Sequence, residues 1–231
     1  MISVQKQTVE HILLHGISWE TYETLLREIG ESHLRLTYDD GDLEIMTISF
    51  GHEHAGSWIG RLIFFLAFEL NMALCSGGST TFKDEALEKG IEPDKCWWIQ
   101  NERKMRAKRK FEINVDPPPD LSIEVEVTRS ALDRMGIYAA LRIPEVWRCD
   151  GKTLRVYHLA ANGKYRERST SRAFPFLPMA KLLEFLQQAE TVDETTLMRS
   201  FAKWVREELA PLVEKPADKS KSPRNGKRSG K

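Results

Sequence analysis

The chain has 231 residues, 41% of them hydrophobic and 29% charged, the size and balance of an ordinary soluble globular protein of one substantial domain or two small ones. The formal net charge of zero is unevenly spread: Lys215 to Lys231 holds seven basic residues and one acid, Asp218, against 27 basic and 33 acidic residues before it. Cys75, Cys96 and Cys149 have no CxxC spacing and exclude a disulfide framework or zinc site, and Met1 to Lys6 lacks the start of a secretory signal, so a cytoplasmic protein with reduced thiols is expected.

In chain order, Ile17 to Ile29 predicts a short amphipathic helix, with Ser18 as N-cap and Gly30 beyond its end. Leu34 to Tyr38 and Leu43 to Ile48 predict a hairpin around Asp39-Asp-Gly-Asp42. A long helix is expected from His52 to Leu74, stopping at Ser76-Gly-Gly78; Arg61, Glu69 and Asn71 interrupt its apolar run, so it suits a buried helix and no membrane span. Gly56 and Gly60 would let another element approach it closely. Strands follow at Thr80 to Phe82, Cys96 to Gln100 and Leu121 to Val127. Ser130-Ala-Leu-Asp133 resembles a capping box that starts a helix running to Leu141. Strands at Glu145 to Cys149 and Thr153 to Leu159 flank an Asp150-Gly151 turn, and amphipathic helices at Ala180 to Ala189 and Glu194 to Leu209 lead to the tail. The order points to a mixed α/β domain with a central sheet flanked by helices.

From Leu121 to Val127 apolar residues alternate with Ser122, Glu124 and Glu126, the pattern of a half-buried strand. Both glutamates then face one side, roughly 7 Å apart. Like charges on one face repel, so they need open solvent or a counter-charge such as a metal ion. If the strand following Asp94 pairs with this one, Asp94, Glu124 and Glu126 converge, an oxygen set suited to Mg²⁺. The run Arg103 to Lys110, six basic residues in eight, lies between the two strands and is either a solvated loop or one that tracks a nucleic-acid backbone, with Lys104, Arg106 and Lys108 as phosphate contacts. Trp97 and Trp98 point to opposite faces; interior packing is expected for one, and base stacking or packing for the other.

Glu92-Pro-Asp94, Pro119-Asp-Leu-Ser-Ile-Glu-Val-Glu-Val-Thr128, Asp133-Arg-Met-Gly-Ile-Tyr138 and Ile143-Pro-Glu-Val-Trp147 follow one another in this order. In these motifs the chain resembles the Uma-two family of restriction-endonuclease-like proteins, part of the PD-(D/E)XK nuclease superfamily. The resemblance spans Ile17 to Leu159. It implies an α/β restriction-endonuclease-like core, a central mixed sheet flanked by helices, with extra C-terminal helices. The domain organisation expected is a nuclease domain over 1–160, a helical extension packed on it over 161–214 and a disordered basic tail over 215–231.

The resemblance further implies a Mg²⁺- or Mn²⁺-dependent endonuclease that hydrolyses DNA phosphodiester bonds, with a homodimer expected by analogy. By position, Asp94 and Glu124 would hold the metal, and Glu53 of His52-Glu53-His54 is a further candidate ligand; His54 is also a candidate to face the groove, and Glu44 either belongs there or is an exposed hairpin residue. Glu126 stands where the superfamily carries a lysine. A basic residue on the next helix, four before a tyrosine, takes its place in many relatives, and here that pair is Arg134 and Tyr138. One helix turn apart, the two would reach the scissile phosphate together, and arginine clamps phosphate without acting as a base; alternatively Arg134 only pairs with Asp133, Glu124 or Glu126. The missing lysine leaves open a catalytically inactive nuclease fold that binds nucleic acid or a protein partner, and scattered carboxylates would leave an ordinary interaction domain.

Overall fold

The structure is a computed structural model that describes residues 11–30, 32–126 and 130–213. The tail at 215–231 and Val127, the last residue of the expected strand, lie outside them. Strand β1 (His11–Leu14) precedes helix α1 (Trp19–Ile29) and the hairpin β2 (Leu34–Asp39) and β3 (Asp42–Thr47). After α2 (Phe50–Glu69) come β4 (Cys75–Gly78), β5 (Phe82–Asp84), β6 (Lys89–Ile91) and β7 (Lys95–Trp98). A single turn, α3 (Glu102–Met105), precedes β8 (Leu121–Val125), α4 (Arg134–Ala140), β9 (Glu145–Cys149), β10 (Leu154–Leu159) and β11 (Tyr165–Arg168). Helices α5 (Met179–Gln188) and α6 (Glu194–Trp204) follow, and α6 continues through a π-helical turn, Val205–Leu209.

The strands form two sheets. One is antiparallel with order β1-β3-β2-β6-β5; the other is mixed with order β11-β10-β9-β8-β7-β4. In the mixed sheet β8 lies between β7, antiparallel to it, and β9, parallel to it. The expected α/β architecture, a central mixed sheet flanked by helices, is what the chain adopts, with a second sheet beside it. One face of the mixed sheet carries α2, α5 and α6 on a core that includes Trp97, Ile123, Trp147, Phe185 and Phe201. The other carries α4 and reaches the second sheet through Trp98, Tyr138, Phe82 and Ile91. The two tryptophans do point to opposite faces, and both are buried in packing.

Local chemistry explains most element ends. The Ser18 hydroxyl accepts from the Thr21 amide, and Gly30 leaves α1 at φ 56°. Asp40 and Gly41 turn the β2–β3 hairpin at φ 50° and 87°, the left-handed pair a two-residue turn needs. Gly56 and Gly60 let α2 lie on the mixed sheet: a Cβ at Gly56 would sit 3.9 Å from Val125 Cγ2 and 4.0 Å from Asp94 Cβ, and one at Gly60 3.9 Å from the Trp97 ring.

Several elements differ from the sequence pattern. The long helix stops at Glu69, because the Leu70 to Leu74 segment turns back and Cys75–Gly78 pairs with β7 as an edge strand. Ser130 does not cap α4: Asp133 does, its carboxylate accepting from the Gly136 amide, and Ser130 turns to Glu44 instead. The alternation of β8 read as a half-buried strand, yet all five of its residues are buried, since α4 and the second sheet cover the face that carries Ser122 and Glu124. Glu44 is likewise buried, accepting from the Ala131 amide at 2.7 Å, and is not an exposed hairpin residue.

Candidate active site at the end of the central strand

Asp94 immediately precedes β7 and is fixed on the end of β8. Its amide donates to the Ile123 carbonyl at 3.1 Å, and its Oδ2 accepts from the Val125 amide at 2.7 Å. The neighbouring register pairs Lys95 with Ile123, so a carboxylate at position 94 necessarily falls beside Glu124 and Val125. Asp94 and Glu124, with Glu126, line one cavity of about 1060 Å³. Its far wall comes from the second sheet, through Arg35, Met46, Thr47 and Ile48, and its rim from Ser130 to Met135.

Glu124 is held from three sides. Arg134, the first residue of α4, donates Nε to Oε2 and Nη2 to Oε1, both at 2.8 Å, and the Tyr138 hydroxyl donates to Oε1. The rest of the guanidinium is tied to the second sheet side: Nη1 donates to Thr37 Oγ1 at 2.7 Å and Nη2 to the Glu92 carbonyl at 3.0 Å. The one-turn spacing of Arg134 and Tyr138 therefore brings both onto Glu124. Tyr138 is fully buried and does not line the cavity, which corrects the expectation that it reaches a phosphate with Arg134. Glu126, just beyond the strand, pairs with Arg148 on the cavity rim. The counter-charges for the two awkward glutamates are thus two arginines.

Electrostatics follow from burial and these contacts. Burial pushes Glu124 above the usual carboxylate range, and Asp94 adds to this while Arg134 and Tyr138 oppose it. Burial works against the Arg134 charge, but Glu124 outweighs it and holds the guanidinium firmly protonated. Burial and Glu124 push the Tyr138 phenol well above its ordinary value, so it acts as a donor.

The sequence pattern missed His52. Its Nε2 lies 3.3 Å from Asp94 Oδ2, and its ring lines the cavity. Burial lowers its proton affinity, yet the Asp94 carboxylate, with Glu124 and Glu53, more than offsets this, and the net shift is upward. His54 and Glu53, the neighbours that the motif offers, are engaged elsewhere. His54 instead accepts from Trp58 Nε1 at 2.9 Å and stacks on Phe50. Glu53 pairs with Arg35 at 3.5 Å and Lys95 at 4.0 Å and does not line the cavity. The signal that separates the histidines is the glycine spacing: His52 is four residues before Gly56, hence on the helix face that meets the strands.

The basic run lies elsewhere. The loop leaves β7 after Trp98 and returns at Leu121, the end of the strand pair opposite Asp94 and Val125. Lys104, Arg106 and Lys108 are exposed and none lines the cavity; Arg106 pairs with Glu102, and Lys108 with Asp116 at 2.7 Å. Asp120 also belongs to that end, where its carboxylate accepts from the Ile99 and Asn101 amides at 2.6 and 3.0 Å and from the Asn101 side chain at 2.8 Å.

No group of three His, Cys, Asp or Glu residues arranged to hold a metal occurs among the described residues. None of the helices among them is long and apolar enough to cross a membrane. All three cysteines are free.

Among solved structures, the chain is similar to one titled as a putative nuclease belonging to DUF820 from Anabaena variabilis ATCC 29413, with 13% identity, a TM-score of 0.46, and coverage of 77% of this chain and 96% of that one. No curated protein matches the chain. The family model described as "Uma2: Putative restriction endonuclease" matches residues 19–208, beyond the Ile17 to Leu159 span of the motifs and through the C-terminal helices, and the chain belongs to the Uma2 family.

Proposed function

We propose that the protein is a divalent-cation-dependent nuclease of the cytoplasm that hydrolyses DNA phosphodiester bonds in the cavity between its two sheets. One observation carries the reading: Asp94 and Glu124, thirty residues apart in the chain, come from adjacent strands and line the same cavity. Their donor chemistry fits Mg²⁺ or Mn²⁺, because a hard cation is commonly held by one or two carboxylates, with waters and a substrate phosphate completing its shell. Three or four protein ligands brought together, as a zinc-type site requires, do not occur among the described residues. When bound, such a cation stabilises charge on a phosphoryl oxygen and makes a bound water more acidic.

The remaining work falls to the chain's own groups. The Val125 amide fixes Asp94 through its Oδ2 at the cavity wall. Tyr138 holds Glu124 on the side away from solvent. Arg134 supplies permanent positive charge and cannot take up a proton, so the cavity group suited to exchange one is His52 beside Asp94. Glu126, at the position of the superfamily's lysine, is neutralised by Arg148 and shapes the rim. A homodimer would place two such sites on the two strands of a duplex.

The second reading, a nuclease fold that binds nucleic acid or a protein without cutting, is favoured by a different observation: both Glu124 oxygens already accept from Arg134. Cleavage of single-stranded DNA, duplex DNA and RNA with Mg²⁺ or Mn²⁺, in the wild type, Asp94→Ala and Glu124→Ala, separates the two. Metal-dependent cutting lost in both variants supports the first; retention of nucleic acid without cutting by any form supports the second.

A further inference from the structure

We propose that Arg134 is a built-in counter-ion of the site: it occupies the face of Glu124 that a divalent cation requires, and it turns to a substrate phosphate when Glu124 is given over to the cation. The inference rests on the reading that Asp94 and Glu124 hold such a cation.

The guanidinium uses two edges that share Nη2. One edge, Nε and Nη2, makes the paired bonds to Glu124. The other is anchored on Thr37 Oγ1 and on the Glu92 carbonyl. Those anchors involve no part of Glu124. The Glu92 side chain is in turn held by Arg35 at 3.0 Å and Thr81 at 2.7 Å, so the frame is fixed. Withdrawing Glu124 would therefore open an Arg134 fork that stays at the cavity wall, where it can meet a phosphate. A planar fork of this kind suits phosphate as well as carboxylate.

Charge among the described lining residues favours the exchange. Among the described residues five carboxylates line the cavity against three arginines, and each of these arginines is already paired: Arg35 with Glu92, Arg134 with Glu124, Arg148 with Glu126. Among the described residues, a phosphate arriving alone meets more carboxylates than arginines, and every arginine there is paired. Arriving with a divalent ion, it meets a neutralised carboxylate pair and a released guanidinium. Cation and phosphate binding are then mutually dependent, and Arg134 is what couples them.

Titration of the full chain with Mn²⁺ alone, read by the loss of the free-ion electron paramagnetic resonance signal, tests this without any turnover. Arg134→Gln removes the competing charge, and its Mn²⁺ affinity is expected to rise about tenfold or more over wild type. Arg134→Lys keeps a charge without the fork and is expected to fall between. Inorganic phosphate should tighten Mn²⁺ binding in the wild type and not in Arg134→Gln. Circular dichroism checks that each variant folds; should Arg134→Gln fail to, Arg134→Lys decides. Variants that bind Mn²⁺ no more tightly than wild type overturn the proposal. If Asp94→Asn abolishes binding while the Arg134 variants leave it unchanged, the counter-ion role alone falls. If wild type and Asp94→Asn are alike, the cation reading falls with it.

Discussion

Arg134 meets Glu124 through two parallel hydrogen bonds of 2.8 Å, with the arginine side chain 14% and the glutamate 10% exposed. A pair so placed is expensive to break from one side. Arg134→Ala leaves a buried carboxylate with no opposite charge and should cost about 3–5 kcal/mol. Scanning calorimetry should show a fall in Tm of about 10 °C in a chain of this length. Adding Glu124→Gln should recover much of that loss, because the neutral amide no longer needs the guanidinium. A double variant no more stable than Arg134→Ala would contradict this account of the pair.

Asp120 is expected to matter for stability and not for chemistry. It serves the loop between β7 and β8, accepting three hydrogen bonds from Ile99 and Asn101. Asp120→Ala strands two half-buried amides and should cost about 1–3 kcal/mol in urea denaturation. Any Mn²⁺ affinity measured for the folded variant should match wild type, since the residue sits at the far end of the strand from Asp94.

Tyr22 and Gly90 define a steric limit in the second sheet. A Cβ at Gly90 would lie 2.1 Å from the Tyr22 hydroxyl, whose ring stacks on Tyr38 at 4.8 Å and has nowhere to yield. Gly90→Ala should destabilise by about 1–3 kcal/mol. The same hydroxyl is buried with no hydrogen-bond partner among the described residues, so Tyr22→Phe alone should leave stability unchanged or raised. Chemical denaturation of both variants checks the pair.

The acid response of α6 is expected to depend on its cap. Asp193 accepts from the Thr196 amide and from the Thr196 and Thr195 hydroxyls, and these bonds lower its pKa from 3.8 to about 2. A lowered folded-state value means that its stabilisation is present above the ordinary value and is lost as pH falls through about 2. Asn caps a helix comparably but does not titrate. Thermal melts of wild type and Asp193→Asn should therefore converge as pH drops from 4 to 2.

Of Lys104, Arg106 and Lys108, only the first should contribute much to nucleic-acid binding. Three free cations would steepen the salt dependence of log K by about 2.7. Arg106 and Lys108 are already paired, which leaves Lys104. Replacing all three by Gln should lower the slope by about one, measured by fluorescence anisotropy between 50 and 200 mM salt.

Local rules made much of this fold legible. The Asp-Gly turn fixed the β2–β3 hairpin, Ser18 and Gly30 bounded α1, and neighbouring tryptophans were certain to part. The short strands were hidden for a physical reason: β4 is Cys-Ser-Gly-Gly, β6 only Lys-Gly-Ile, and each exists because a distant partner completes it. Within the site, Asp94 beside Glu124 follows from pairing two recognisable strands. That Glu124 is answered by Arg134, Glu126 by Arg148, and Asp94 by His52 depends on how α4, β9 and α2 pack over the strand ends, which no local pattern encodes.

The parallel pairing of β8 with β9 obliges the chain to cross over between them, and α4 lies on that crossover. The segment that must dock for the sheet to close is also the one that delivers Arg134 and Tyr138 to Glu124. Sheet closure and completion of the site are consequently one event in folding. Amide protons of Ile123 to Val125 should exchange only through global unfolding, and no partly opened form should retain the sheet while exposing an empty Glu124.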